Sequence, residues 1–286
     1  MRAATELAAA DAYCRIMAGR HYENFWVAAP FLAPGHRRHL ARIYAYSRTT
    51  DDAGDESGRR APGRLAAWRA AVESMLAGAE PLHPVLIAIR RSVVELGIPG
   101  AALTDLIAAN EQDQRVSSYE SWEELREYCA LSAAPVGRMV LRAFGAWSPD
   151  AERLSDDVCV GLQLANFAQD VAVDRAKGRT YLLQAEVRAH GVRGAVKLLS
   201  ERASRLLASG EELETRVPGR LRIQLALYRL GGLAVLEAIR RADFDTERVR
   251  PVVSAVAKLR LVPAAAARLR ATGKAPGERA GAREPA

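Results

Sequence analysis

Apolar residues recur with the period of an α-helix along most of this chain, and this pattern is the main constraint on its fold. Prolines and glycines separate the periodic segments at positions where helices commonly end. No sustained segment combines period-two alternation with β-branched residues, so a β-sheet is not expected. The predicted helices are 4–19, 36–53, 61–78, 82–96, 99–113, 121–131, 135–145, 150–175, 183–188, 192–215, 218–240 and 245–260. The sequence therefore predicts an all-α fold.

One domain is expected over residues 1–262, because neither a Gly/Ser-rich linker nor a repeat of fixed period divides this range. Residues 263–286 form a basic tail rich in Ala, Pro and Gly, which we predict to be disordered. Five Lys/Arg and two Glu give this tail +3 of the formal net charge of +7, which leaves +4 for the rest. No basic stripe with interleaved aromatic residues is present, so a nucleic-acid partner is not expected.

A polar stripe runs along the predicted helix 150–175, which is otherwise apolar. Four residues at spacings of three, four and four share one helical face: Gln163, Asn166, Asp170 and Asp174. The basic residues Lys177 and Arg179 follow them. Polar groups on a helix that faces a core need partners, so this stripe indicates a ligand or an internal polar network.

The predicted helix 36–53 ends in a second stripe of the same kind. Its members have offsets of four, three and four residues: Tyr44, Arg48, Asp51 and Asp55. Asp52 and Glu56 form a neighbouring acidic pair. Carboxylates four residues apart repel each other on a helix, and the chain has two such couples, so a counter-charge is expected.

Magnesium is the metal that suits these residues, because carboxylate oxygens without His or Cys nearby are hard ligands. Mg²⁺ commonly binds one or two carboxylates together with substrate phosphates. Two acidic couples on facing helices would hold a metal–diphosphate, and Arg48, Lys177 and Arg179 would bind the remaining phosphate oxygens. A single such couple is usually a solvated surface, whereas two couples that each end an apolar helix favour a functional site.

The motifs "RTTDDAGDE" and "NFAQDVAVDRAKGRTYL" resemble the two aspartate-rich signatures of the squalene/phytoene synthase family. The resemblance extends from "HYENF" (21–25) to "RPVVSAVAKLRL" (250–261) and includes "YCALSAAPVGRMVL" (128–141), which is similar to the kinked helix of small residues on that family's cavity wall. It implies a single-domain isoprenoid-synthase helical bundle around a central apolar cavity, with Mg²⁺ at its mouth. The motifs "HYENF", "DDAGDE" and "QDVAVDRAKGR" are most similar to those of the family's hopanoid branch, which turns presqualene diphosphate into hydroxysqualene or squalene.

The resemblance also implies roles for individual residues. Asp51, Asp55, Asp170 and Asp174 would hold Mg²⁺ on an isoprenoid diphosphate. Asn166 would add a metal ligand, and Tyr44 would stabilise the carbocation or position phosphate. The residues expected to bind the diphosphate are Arg48, Lys177, Arg179, Gln163 and Tyr181. Arg250 and Lys258 loosely match a basic element near the family's C-terminus.

Two residues depart from the hopanoid pattern: Trp26 stands where Pro is usual, and Ala168 stands where Trp is usual. A smaller residue at 168 would reshape the cavity. An alternative is therefore aromatic prenylation, in which a dimethylallyl or geranyl group moves from its diphosphate to a small aromatic co-substrate in secondary metabolism. A further alternative from another class is a non-catalytic helical interaction module.

Location is predicted from the absence of targeting signals in the sequence. The charge-free stretches are about a dozen residues long, as in 24–35, and a membrane-spanning helix needs roughly 20 apolar residues. The three cysteines are far apart and form no CxxC motif, as in a reducing cytoplasm. We therefore expect a cytoplasmic protein without a stable membrane anchor, although C30 products would be compatible with peripheral membrane association. The oligomeric state does not follow from the sequence.

Overall fold

Helices build the part of the chain that the computed structural model describes, residues 2–20, 30–55 and 60–271. The helices in this part are α1 (Arg2–Arg20), α2 (Pro34–Asp55), α3 (Ala61–Leu76), α4 (Pro84–Leu96), α5 (Ala101–Gln112), α6 (Trp122–Ser132), α7 (Ala134–Ala143), α8 (Pro149–Gln169), α9 (Val171–Ala176), α10 (Gln184–Ala208), α11 (Gly210–Arg216), α12 (Gly219–Arg241) and α13 (Ala255–Ala271). Within these residues the only β-type pairing is an isolated bridge between Tyr119 and Leu183. The all-α prediction is confirmed.

Local sequence signals set several helix ends. Ser148 caps α8 by accepting a hydrogen bond from the Ala151 amide at 3.2 Å, and Pro149 occupies the first turn, where no amide donor is needed. At α6, Ser121 and Glu124 form a capping box in which each side chain accepts from the other's backbone amide. These caps fix where α6 and α8 begin, and so which faces they turn inward.

The helices α2 and α8, which carry the two polar stripes, are central to the packing. Helix α8 packs against α7, α10, α11 and α12, and α2 packs against α1, α3, α4, α5 and α7. Leu164 and Ala165 of α8 belong to one buried apolar cluster, and Ile43 and Ala45 of α2 belong to a second. Each fully buried Leu or Ile side chain contributes about 1.5–3 kcal/mol to folding. Both acidic couples are therefore mounted on helices that the core holds firmly.

Some predicted boundaries are wrong. The predicted helix 150–175 is interrupted at Asp170, which separates α8 from α9. Only the second part of the predicted helix 245–260 is helical: α13 begins at Ala255, and residues 245–254 are not helical. This helix continues through Pro263 to Ala271, so the predicted domain boundary at 262/263 falls inside a helix. The predicted disorder of the tail stays a prediction for 272–286, which lie outside the described residues.

A kink at Gly191 joins two segments that were predicted as separate helices, 183–188 and 192–215. Gly191 has φ 68° and ψ 175° inside α10, a conformation that costs glycine little and other residues much more. The second segment ends at Ala208, and the short helix α11 follows. Among the described helices, none combines the length and the apolar character that a membrane crossing requires.

Candidate active site

One polar cavity of about 240 Å³ collects most of the side chains that the sequence singles out. Its walls come from α2, α5, α6, α8, α9 and the turn after α9. The lining residues are Arg48, Asp51, Asp52, Asp55, Asn110, Asp113, Tyr128, Ser132, Gln163, Asn166, Phe167, Asp170, Asp174, Arg179 and Tyr181. The α2 couple (Asp51 and Asp55) and the α8–α9 couple (Asp170 and Asp174) thus face one another across a common space, as predicted.

The α2 couple is supported from behind by α5. The Asn110 side chain donates a hydrogen bond to Asp51 Oδ1 at 3.1 Å and another to the Leu106 carbonyl at 3.0 Å. Asp51 is accessible from the cavity, yet the surrounding protein removes much of its hydration. This burial, with repulsion from Asp55 adding to it, raises the pKa of Asp51 to about 6 despite the hydrogen bond from Asn110. The couple is therefore destabilised when both carboxylates are ionised.

Gly54 allows Asn110 to approach Asp51. A Cβ atom at position 54 would lie 2.7 Å from Asn110 Oδ1, so Gly54→Ala is expected to displace this amide and destabilise the protein by about 1–3 kcal/mol. Gly63→Ala is the matched control, because no atom lies within 4 Å of its added Cβ. The control is expected to be neutral or stabilising by roughly 0.5–1 kcal/mol. Urea unfolding of both variants measures the difference, and equal effects would contradict this role of Gly54.

The α8–α9 couple lies where the helix is interrupted. Asp170 has φ −103° and ψ 21°, but its amide still donates to the Asn166 carbonyl, and the Asp174 amide donates to the Asp170 carbonyl, both at 2.9 Å. Because these i to i−4 bonds persist across the break, Asn166, Asp170 and Asp174 stay on one side as the stripe predicted. Burial, followed by repulsion from Asp170, raises the pKa of Asp174 to about 7.

Asp174→Asn is expected to stabilise the metal-free protein near pH 8, and the gain is expected to shrink towards pH 5. The pKa of Asp174 is about 7 in the folded chain against an ordinary 3.8. The folded state therefore binds more protons than the unfolded state between these pH values, and the wild type loses stability as the pH rises through them. After allowance for solvent screening, the free energy of unfolding of Asp174→Asn should exceed that of the wild type by about 1–2 kcal/mol near pH 8. Urea unfolding with a chelator present measures it, and identical pH profiles for the two proteins would contradict it.

Cations already contact one member of each couple. Lys177 Nζ donates to Asp55 Oδ2 at 2.8 Å, and Arg179 donates to Asp55 Oδ1. Although burial acts to raise the pKa of Asp55, these hydrogen bonds outweigh it and lower the pKa. Arg250 donates to both oxygens of Asp170, at 2.5 and 3.2 Å. Three cationic side chains are thus held at the edge of the cavity by these two carboxylates.

Asp113 is a site residue that the sequence analysis missed. Its carboxylate accepts hydrogen bonds from the hydroxyls of Tyr128 at 2.8 Å and Tyr181 at 2.9 Å, and an ion pair at 3.0 Å joins it to Arg179. Burial raises the pKa of Asp113, and the hydrogen bonds and Arg179 act against this rise. Arg179 therefore contacts Asp113 as well as Asp55. A signal existed in the sequence, since Asn110 and Asp113 are polar residues three apart at the end of an apolar helix.

Tyr181 belongs to the wall of the cavity. Its ring stacks on Phe167 with centroids 3.8 Å apart, and it lies within 6 Å of Tyr119 and Tyr128. Backbone hydrogen bonds from Thr180 to Ser117 and from Gln184 to Tyr119, at 2.8 and 2.9 Å, hold this segment in place. The hydroxyl of Tyr181 is engaged with Asp113, so here it orients the acidic network. The sequence analysis expects Tyr181 to bind the diphosphate, and this role stays a prediction, since the hydroxyl donates to Asp113 in this structure.

Three neutral polar side chains also line the cavity: Ser132, Gln163 and Asn166. The Ser132 hydroxyl is buried and has no hydrogen-bond partner among the described residues. A buried hydroxyl without a partner is costly, so this atom indicates a position where a water or a ligand completes the site.

Several predicted residues lie elsewhere. Tyr44 is half-buried on α2, one turn from Arg48, and is not among the residues that line the cavity. Lys177 reaches the cavity only through its ion pair with Asp55. Ala168 is fully buried in the apolar core and is absent from the cavity lining. Trp26 and Glu56 lie outside the described residues.

The donor atoms at this site suit Mg²⁺, because the two couples and Asn166 offer only oxygen ligands, without His or Cys. Within the described part of the chain, however, no three carboxylate, His or Cys side chains converge closely enough to hold one ion. The ion pairs explain this arrangement, since Asp55 is turned to Lys177 and Arg179, and Asp170 to Arg250. The residues therefore fit the metal in chemistry, while their present contacts are with cations of the protein.

Comparison with known proteins identifies similar chains. Residues 18–257 match the family model described as squalene/phytoene synthase. A hydroxysqualene synthase of Rhodopseudomonas palustris is 29% identical over 272 residues, which is 89% of this chain and 92% of the relative. A chloroplastic phytoene synthase of an Oncidium hybrid is 26% identical over 279 residues, covering 88% of this chain and 66% of the relative.

Solved structures share the architecture. A crystal structure of squalene synthase from Alicyclobacillus acidocaldarius is 38% identical and superposes with a TM-score of 0.77, covering 84% of this chain and 96% of that chain. A dehydrosqualene synthase crystallised with a ligand has a TM-score of 0.85 at 20% identity, covering 93% and 99% of the two chains. The second likeness shows the fold alone. The predicted helical bundle is confirmed.

Proposed function

The chain belongs to the squalene/phytoene synthase family, and on this premise we propose that it converts presqualene diphosphate and water into hydroxysqualene and diphosphate. The observation that supports the proposal is the placement of both aspartate couples and Arg179 around one cavity. The match spans 92% of the Rhodopseudomonas palustris hydroxysqualene synthase but 66% of the Oncidium phytoene synthase, and this difference favours hydroxysqualene formation over phytoene formation.

The cavity is suited to the diphosphate end of the substrate. Its volume of about 240 Å³ is below the roughly 300–1,000 Å³ of pockets that enclose whole ligands, so the C30 chain must extend elsewhere. Arg48, Lys177 and Arg179 would bind the phosphate oxygens. Because Asp113 holds one edge of Arg179, the orientation of this guanidinium is already restricted before the substrate arrives.

Magnesium is proposed as the cofactor. When bound, it would neutralise charge that develops on the departing diphosphate. The two aspartate couples and Asn166 would hold it, as their oxygen donors allow. Lys177, Arg179 and Arg250 would then exchange their carboxylate partners for phosphate oxygens, which keeps every charge in the cavity paired.

The proposed fate of the carbocation depends on what surrounds it. The rings of Phe167 and Tyr128, which line the cavity, would exclude bulk water from one side and shield the cation. A single positioned water would then quench it and yield the alcohol. Ser132 and Gln163 are neutral and line the cavity, so they are suited to orient this water without adding charge.

Ser132→Ala is expected to lower the proportion of hydroxylated product about 3–10-fold, which is the effect of losing roughly one hydrogen bond to the reacting water. Total diphosphate release should fall much less. Ser200→Ala is the matched control, because the Ser200 hydroxyl is satisfied within α10 by the Val196 carbonyl at 2.7 Å. Mass spectrometry of the products measures the ratio. A product ratio that is the same in both variants would exclude Ser132 as a water-positioning residue.

The proposed reaction is tested by incubating the protein with Mg²⁺ and, separately, dimethylallyl, geranyl, farnesyl and presqualene diphosphates. Release of diphosphate and formation of hydroxysqualene from the last substrate support the proposal. Prenylated product formed from a short substrate and an indole-like acceptor would replace it with aromatic prenylation. Release from none of the four, with or without an acceptor, would favour a non-catalytic helical module.

A further inference from the structure

An exposed apolar surface lies on the segment that follows α12. Four side chains define it, which we call the α13 patch: Val249, Val252, Val256 and Leu259, exposed by 59%, 67%, 60% and 63%. The described residues contain eleven exposed large apolar side chains, and these four occur within eleven positions of the sequence. Leu261 and Ala265 of α13 pack towards α12, so the patch is the outward side of this segment. Such clustering marks an interaction surface more often than a chance exposure.

The same segment is strongly basic. Residues 248–271 contain six basic and no acidic residues, and the six are Arg248, Arg250, Lys258, Arg260, Arg268 and Arg270. Arg248 and Arg260 are exposed beside the patch. The segment contains no aromatic residue, which disfavours a surface for single-stranded nucleic acid, because such surfaces usually stack bases on aromatic rings. Aliphatic side chains flanked by cations are typical of segments that bind anionic membranes.

The patch lies next to the candidate active site. Arg250 forms its ion pair with Asp170, and the side chain of Gln169 donates to the Pro251 carbonyl at 2.5 Å. Arg175 of α9 pairs with Glu247, and Val173, which is 41% exposed, lies between Asp170 and Arg175 in the sequence. These contacts hold the start of the basic segment against the edge of the cavity formed by Asp170 and α9.

We propose that the α13 patch binds the surface of an anionic lipid bilayer and so turns the cavity towards the membrane. Val252, Val256 and Leu259 would enter the interface between headgroups and acyl chains, while Arg248 and Arg260 would pair with lipid phosphates. The advantage for catalysis rests on the proposed function, since an isoprenoid diphosphate keeps its hydrocarbon in the bilayer and its diphosphate at the surface. Binding itself requires no substrate and is tested without one.

The test is flotation of the full chain with vesicles of phosphatidylcholine alone or mixed with phosphatidylglycerol. Binding to the mixed vesicles is expected to be at least about 10-fold stronger and to weaken at high salt. The triple variant Val252→Ser, Val256→Ser, Leu259→Ser and the pair Arg248→Glu, Arg260→Glu should each reduce it about 10-fold. The matched control is Leu82→Ser with Val94→Ser, which removes side chains exposed by 95% and 72% outside the patch.

Three results would overturn the proposal: no preference for the anionic vesicles, equal binding by patch and control variants, or a patch-dependent dimer that binds no vesicles. Salt-sensitive binding to DNA without binding to vesicles would overturn it as well. Diphosphate release from presqualene diphosphate solubilised in detergent, without vesicles, is measured in parallel. Vesicle binding without any such release would leave the docking surface intact and contradict only the proposed function.

Discussion

Replacing Asp51 with asparagine is expected to reduce diphosphate release at least about 10²–10³-fold, the usual effect of removing one group that stabilises charge at a reacting centre. Stability should not fall with it. The substituted asparagine retains an oxygen that accepts the hydrogen bond from Asn110. The substitution also removes the negative charge of Asp51, which burial and Asp55 disfavour, as its pKa of about 6 indicates. The variant should therefore lose nearly all activity, while its free energy of unfolding stays the same or rises slightly.

Two measurements separate this outcome from simple misfolding. Urea unfolding gives the folding free energy, and the thermal shift caused by Mg²⁺ with inorganic diphosphate reports whether the charged site still assembles. Asp105→Asn is the matched control, because Asp105 is a half-buried carboxylate on α5 that does not line the cavity. It should keep both activity and the thermal shift. Full activity of Asp51→Asn would remove the α2 couple from the proposed site.

The two acidic stripes are the part of the site that the sequence predicts well. Within a helix, spacing alone places Asp51 with Asp55 and Asn166 with Asp170, because side chains four residues apart share a face. The break at Asp170 does not spoil this prediction, since the hydrogen bonds on either side of it keep the helical phase. That the two stripes face one cavity was inferred from their need for a shared counter-charge, and α2 and α8 do contribute to the same cavity.

Contacts between distant segments could not be predicted in the same way. Asp113 meets Tyr128 and Tyr181, which are 15 and 68 positions away, only after α5, α6 and the turn following α9 have packed.

The valines of 245–254 continue a helical pattern in the sequence, yet this segment is not a helix. Asp243 and Phe244 have φ values of 53° and 57°, and ion pairs from Asp245 to Arg193 and from Arg250 to Asp170 fix the chain in another path. Tertiary contacts here outweigh local propensity.

Asp113→Asn is expected to have the largest effect on stability, together with a loss of activity. The carboxylate accepts from two hydroxyls and one guanidinium, whereas an amide offers only one accepting oxygen, so at least one buried donor would face an NH₂ group. Removing one partner from a buried charged network costs about 3–5 kcal/mol. The melting temperature should then fall by roughly 6–20 °C, at about 2–4 °C for each kcal/mol in a chain of this size.

The loss of activity should follow from Arg179. Without Asp113, this guanidinium keeps only its contact with Asp55, so its orientation towards a diphosphate is less restricted, and kcat should fall about 10–100-fold in the fraction that remains folded. Tyr128→Phe removes a single donor and leaves the carboxylate paired with Arg179, so it should cost only about 1 kcal/mol and little activity. If Asp113→Asn and Tyr128→Phe had the same effects on melting temperature and on kcat, Asp113 would be only a packing neighbour of the tyrosines. A larger loss in Asp113→Asn, at a temperature where both variants are folded, is what an anchor for Arg179 requires.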